Sequence, residues 1–74
     1  MENILEQIAL CVEKGKINQS VLYPPDMRGE PGVDELTLKA LELGISPPDL
    51  LSKGLIVGME RIGVKFRENQ VFIP

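Results

Sequence analysis

Apolar residues recur at helical spacing in three stretches of the chain, and segments rich in proline and glycine separate them. The first stretch predicts a helix over residues 3–14, with Asn3 as its N-cap and Gly15 as the residue that ends it. The second predicts a helix over residues 34–43 with Asp34 as its N-cap. Both have one apolar side, as expected for helices that pack on a shared core.

The third stretch, residues 46–67, has the strongest helical periodicity. Ser46 is its predicted N-cap, and a proline follows at the first helical position. Gly54, Gly58 and Gly63 interrupt this helix, and each costs about 1 kcal/mol against alanine in an exposed helix interior. We therefore expect close packing against another helix at Gly54 and Gly58, with room for a ligand as the alternative. The predicted apolar stripe steps by three or four residues through Leu51, Leu55, Met59, Ile62 and Phe66.

Residues 17–33 predict a long loop that contains three prolines and two glycines. The apolar side chains within it favour an ordered surface loop. A loop that contacts a partner protein is the alternative.

The last four residues, 71–74, are apolar and end in proline, whereas chain ends are usually polar. Proline after a helix end is typical of the first turn of another helix. We therefore predict an all-α fold with three helices of a four-helix bundle. The open apolar groove would be closed by self-association, which makes a homo-oligomer the expected state.

Composition restricts the possible chemistry of this single small domain of 74 residues. The net charge of −3 argues against a nucleic-acid module, and the absence of histidine argues against histidine catalysis or metal ligation. The single cysteine, Cys11, is interpreted as a packing residue. No apolar run could span a membrane and no signal peptide is evident, so we expect a cytoplasmic protein with no catalytic residue and no metal site.

Two sequence elements carry a family resemblance. Residues 54–66 contain Gly-Leu-x-x-Gly-Met-x-x-Ile-Gly-x-x-Phe, and residues 71–74 are Val-Phe-Ile-Pro. With the Ala-Leu-Glu-Leu-Gly-Ile-Ser run at residues 40–46, the chain resembles the N-terminal helical cap of cobalamin-binding proteins of the methionine synthase type. The same module occurs in corrinoid proteins of methyltransferase systems. The resemblance implies that residues 1–74 are a truncated cap domain, without the fourth helix and the Rossmann-like B12-binding domain.

The resemblance also implies which residues face the cofactor. Phe66 matches the aromatic residue, and Ile73 the aliphatic residue before proline, that press on the methyl face of cobalamin in the family. Ser52 matches a position where glutamate or asparagine reaches the corrin edge, although serine is shorter. Apolar side chains there would exclude water from the cobalt–methyl group and would have to move aside for methyl transfer.

The function implied is that of a methyl carrier. The whole protein would hold a methyl group on cobalamin between methyltransferase subunits, while this part shields the cofactor and binds none tightly by itself. The alternative from the residues alone is a free-standing helical module that dimerises without a cofactor.

Overall fold

Three helical units make up the part of the chain that the structure describes. The computed structural model describes residues 3–67, with the backbone alone for Phe66. Helix α1 spans Ile4–Lys14 and helix α2 spans Val33–Glu42. The third unit consists of α3, a π-helical segment and α4, which span Pro47–Leu50, Leu51–Leu55 and Ile56–Arg67. Residues 3–67 contain no β-strand, so the all-α prediction is confirmed there.

The predicted ends of α1 are confirmed. Asn3 Oδ1 accepts a hydrogen bond from the Glu6 amide at 2.9 Å, which satisfies an amide that has no partner within the helix. At the other end Gly15 has φ +79°, a left-handed conformation that glycine adopts without strain. The amides of Gly15 and Lys16 then bond back to the carbonyls of Val12 and Cys11.

The predicted N-cap of α2 is wrong, because Gly32 and not Asp34 is the N-cap residue. The Glu35 carboxylate reaches back and accepts a hydrogen bond from the Gly32 amide at 2.8 Å. Gly32 also lies against the backbone of Ile17 and Asn18. A Cβ atom at position 32 would stand 2.5 Å from the Asn18 nitrogen, so this position requires glycine.

The third unit begins as predicted and then departs from one uniform α-helix. Ser46 Oγ accepts a hydrogen bond from the Asp49 amide at 3.3 Å, and Pro47 occupies the first turn. The π-helical segment widens the helix by about one residue per turn. Such an insertion changes which side chains of the following helix face the core.

Helix α1 contacts the other helical units along its length and holds the core together. The two glycines of the third unit mark its closest approach to α1. A Cβ atom on Gly58 would stand 2.5 Å from Val12 Cβ, and one on Gly54 would stand 3.3 Å from Ile8 Cγ2. The prediction of close helix packing at both glycines is therefore confirmed. The buried apolar cluster consists of Ile8, Cys11, Leu36, Ala40 and Leu50.

The loop between α1 and α2 is ordered, and it contains a 3₁₀ turn over Pro25–Met27. Lys16 lies beneath it with its side chain fully buried. The Lys16 ammonium group donates hydrogen bonds to the carbonyls of Val21 and Gln19. The Gln19 side chain in turn donates to the Gly29 carbonyl at 2.9 Å. The expectation of an ordered loop is confirmed, and a buried lysine holds it in place.

Candidate functional site

The predicted stripe of the third unit leaves an apolar surface that faces solvent. Leu51 is 52% exposed and Met59 is 63% exposed, and Ile62 is half-buried. Leu55 of the same stripe packs against the buried core cluster instead. We call Leu51, Met59 and Ile62 the outer face. The third unit packs on α1 through Gly54 and Gly58, next to this stripe, and leaves the outer face largely uncovered. An apolar helix face of this kind is typical of a surface that another component covers.

Ser52 lies beside the outer face, seven residues before Met59, and its side chain is exposed. Its hydroxyl donates a hydrogen bond to the Pro48 carbonyl at 2.9 Å, one turn earlier. Phe66 lies in α4, seven residues after Met59, but its side chain is outside the described part of the chain. Ile73 lies outside the described residues altogether. Of the three predicted cofactor contacts, the structure therefore places the side chain of Ser52 alone.

A cluster of ion pairs joins α1 and α4 beside the outer face. Arg61 Nη1 lies 2.7 Å from Glu6 Oε2 and 3.6 Å from Glu13 Oε1, and Lys65 Nζ lies 2.5 Å from Glu13 Oε2. The hydrogen bond from Arg61 lowers the pKa of Glu6, and the one from Lys65 lowers the pKa of Glu13. Both carboxylates are therefore favoured in their charged form.

This cluster was not predicted from the sequence. The signal was available, because Glu6 and Glu13 stand two turns apart in α1 and Arg61 and Lys65 stand one turn apart in α4. These contacts lie on the side of α4 that faces α1. Met59 lies on another side of the same helix and is exposed.

Cys11 fits the packing role that the sequence predicts for it. Its side chain is 2% exposed, and its thiol donates a weak hydrogen bond to the Pro31 carbonyl at 3.7 Å. Burial, with a further contribution from the negative charge of Glu30, raises the pKa of the thiol. A thiol with a raised pKa is a poor nucleophile at neutral pH.

Among residues 3–67, no group of three or more histidine, cysteine or acidic side chains could hold a metal ion. Within the same described range, no helix is both long and apolar enough to cross a membrane.

Comparison with known proteins gives a family match and several relatives that align with part of the chain. A family model described as a B12 binding domain matches residues 29–74. Monomethylamine corrinoid protein 1 of Methanosarcina mazei is 49% identical over 43 residues, which are 58% of this chain and 20% of that protein. The trimethylamine corrinoid protein of Methanosarcina barkeri is 42% identical over 41 residues, which are 55% of this chain and 19% of that protein.

The matched stretch therefore spans about a fifth of the length of these relatives. The family match contains α2 and the third unit with the outer face, whereas α1 and most of the loop precede it. No solved structure matches the chain significantly.

Proposed function

The chain belongs to the B12 binding domain family, and from this premise we propose that it is part of a corrinoid protein that carries a methyl group on cobalamin. Its relatives in Methanosarcina are named as corrinoid proteins of the monomethylamine and trimethylamine systems. When cobalamin is bound, it supplies the cobalt–carbon bond that carries the methyl group.

Within such a protein, residues 1–74 form the cap over the upper face of the cofactor. The observation that carries this proposal is the outer face, which is apolar, exposed and contained in the residues that match the family. A flat apolar surface suits the role, because it excludes water and competing nucleophiles from a reactive methyl group. Polar or charged side chains at Leu51 and Met59 would admit water instead.

Phe66 and Ile73 are the proposed lid residues that lie against the methyl group. Phe66 continues the line of Met59 two turns further along α4, which supports its assignment. Ser52 is the proposed contact at the corrin edge. Its hydroxyl already donates a hydrogen bond to the Pro48 carbonyl. In a contact to the corrin, the Ser52 hydroxyl oxygen would therefore act as a hydrogen-bond acceptor.

The proposal also defines the partners. A Rossmann-like domain with an Asp-x-His-x-x-Gly loop would hold cobalamin from below, and methyltransferase subunits would load and unload the methyl group. Sequencing the gene past the codon for Pro74 tests this arrangement. We expect the reading frame to continue through a fourth helix into that domain. A stop codon directly after Pro74 would contradict it.

The lid itself is tested by Phe66→Ala in the cobalamin-loaded protein that contains residues 1–74 and the cofactor domain. We expect faster photolysis of the methyl–cobalt bond, because water reaches the site more easily and light-generated radicals leave it more easily. Tyr23→Ala is the control, since Tyr23 is an exposed aromatic residue of the loop. Equal photolysis rates in the wild type and the Phe66 variant would remove the lid role, even if cobalamin binds.

The same outer face supports a second candidate function, a helical module that forms homodimers without a cofactor. In that case two outer faces would pack together, and Phe66→Ala would weaken the dimer by the few kcal/mol expected for a buried aromatic residue. Titration of the 74-residue chain with a cobalamin-loaded Rossmann-like domain separates the two functions. Displacement of a homodimer by that domain supports the cap, and an unperturbed homodimer supports the module.

A further inference from the structure

A pocket lies between α1, α2 and the loop that joins them, and the proposed function does not use it. Its volume is about 370 Å³, which is within the range of small-molecule sites. Leu10 and Cys11 of α1, Met27 of the loop and Leu36 of α2 supply most of its apolar wall. Pro31 and two polar side chains, Gln7 and Glu30, complete the lining.

The pocket and the outer face belong to different sides of the molecule. Helix α1 meets the third unit through Leu5, Ile8, Ala9 and Val12, the residues closest to Gly54 and Gly58. The pocket uses Gln7, Leu10 and Cys11, which lie on another side of the same helix. A molecule in the pocket would therefore be separated from the proposed cofactor surface by α1.

The loop wall of the pocket is held in place before any ligand binds. Glu35 accepts hydrogen bonds from the Gln19 amide at 3.1 Å and from the Gly32 amide at 2.8 Å. One carboxylate therefore connects the two ends of the loop. The Glu30 amide bonds the Met27 carbonyl at 3.1 Å and closes the turn between these two pocket residues. A preformed site binds a ligand with a smaller loss of conformational entropy.

The electrostatics of the pocket select the sign of the ligand charge. The negative charges of Glu30 and Glu35 both act on the Cys11 thiol, and each contributes to its raised pKa. The Lys16 ammonium group acts in the opposite direction and more strongly than Glu35, but Lys16 does not line the pocket, whereas Glu30 does. A cationic head near Glu30 is therefore favoured and an anionic one is disfavoured.

We propose that this pocket binds a small organic ammonium ion, with its alkyl chain against Leu10, Met27 and Leu36 and its charged head at Glu30. The apolar wall accounts for the alkyl chain, since burying each methylene group is favourable by about 0.8 kcal/mol. The exposed carboxylate at the rim accounts for the cation. A chain of about four carbon atoms is short enough for the volume.

The test is a titration of the ¹⁵N-labelled chain with n-butylammonium chloride, followed by amide chemical shifts at constant ionic strength. We expect saturable shifts at Cys11, Met27 and Glu30, and weaker binding of 1-butanol, which has the same chain without the charge. Glu30→Gln should weaken n-butylammonium binding about fivefold, the size expected for one partly exposed charge pair. Glu60→Gln, which removes an exposed carboxylate from α4, is the matched control and should leave binding unchanged.

The proposal would be overturned by an absence of saturable shifts in the wild type, by equal binding of 1-butanol, or by equal weakening in the Glu60 variant. A second variant, Leu10→Phe, places extra volume in the pocket and should abolish the shifts while circular dichroism stays helical. Persisting shifts in that variant would also overturn the site. None of these measurements involves cobalamin, so their outcome is independent of the proposed cap function.

Discussion

Gly58 and Gly63 lie in the same helix, yet an added methyl group would meet different surroundings at the two positions. A Cβ atom on Gly58 would stand 2.5 Å from Val12 Cβ and 2.7 Å from the Ala9 carbonyl oxygen. A Cβ atom on Gly63 would meet no described atom of residues 3–67 within 4 Å. The first glycine is therefore required by packing on α1, whereas the second lowers the stability of the helix without a contact to the described residues.

Alanine substitution at these two sites should have opposite effects. Gly58→Ala should lower the free energy of unfolding by about 1–3 kcal/mol, because the Ala9 backbone cannot move aside without displacing α1. Gly63→Ala should raise it by up to about 1 kcal/mol, the difference in helix propensity. Urea denaturation followed by circular dichroism measures both. Destabilisation by Gly63→Ala equal to that of Gly58→Ala would contradict the packing of α4 on α1.

Lys16 has a structural role, although lysine side chains usually lie at the solvent-exposed surface. Lys16→Met keeps the apolar stem and removes the ammonium group that bonds the carbonyls of Val21 and Gln19. We expect a loss of about 1–3 kcal/mol, the cost of unsatisfied buried polar groups. Faster amide hydrogen exchange across the loop should accompany it.

Lys39→Met, at an exposed position of α2, is the matched control for this loss of charge. If the two variants have the same stability and the same exchange rates, the buried ammonium group does not hold the loop.

At the scale of elements, the helix ends that depend on nearby residues were predicted from the sequence, and those that depend on distant segments were not. The caps at Asn3 and Ser46 and the glycine end of α1 were predictable because each is made by residues within four positions of one another. The N-cap of α2 was mispredicted because the approach of Ile17 and Asn18 to Gly32 is a contact between segments distant in sequence.

The π-helical segment was not predicted from the sequence, for a related reason. It changes the spacing of the backbone hydrogen bonds over five residues, Leu51–Leu55. The sequence of this segment has no hydrophobic periodicity that distinguishes it from an α-helix. Of the predicted apolar stripe, Leu51 and Met59 lie at the surface, whereas Leu55 packs against the core. Which side of the helix would pack on α1 depended on the glycines and on ion pairs to a distant helix.

Those ion pairs make the contact between α1 and α4 sensitive to acid. The pKa of Glu13 in the folded state lies below its ordinary value of 4.5, chiefly because of Lys65. The pair therefore contributes stability above that ordinary value, and this contribution is lost as the pH falls through the lowered pKa. Glu13→Gln removes the titrating group, so the loss of stability between pH 6 and pH 3 should be smaller in this variant, by less than about 1 kcal/mol.

Urea midpoints at the two pH values measure this difference. Glu60→Gln, an exposed carboxylate on α4, provides the comparison and should keep the acid sensitivity of the wild type. An unchanged acid response in Glu13→Gln would mean that the pair with Lys65 contributes nothing in solution.

At the scale of the whole molecule, the buried core is small and large apolar side chains remain at the surface. Met59 on the outer face is 63% exposed, and Leu38 on α2 is 61% exposed. A domain this small gains limited stability from its own core, so covering further apolar surface has a large relative effect. The outer face is the surface that both proposed functions cover, by the cofactor and its domain in one case and by a second copy in the other.

Met59 and Leu38 allow that shared premise to be tested, because they are almost equally exposed on different helices. Met59→Glu places a charge on the outer face and should raise the monomer fraction of the isolated chain in sedimentation velocity, since burying an unpaired charge in an apolar contact is costly. Leu38→Glu adds the same charge and should leave association as in the wild type. An equal shift toward monomer in both variants would show that the chain associates through no particular face. A shift toward monomer in Leu38→Glu alone would show that the chain associates through α2 and not through the outer face.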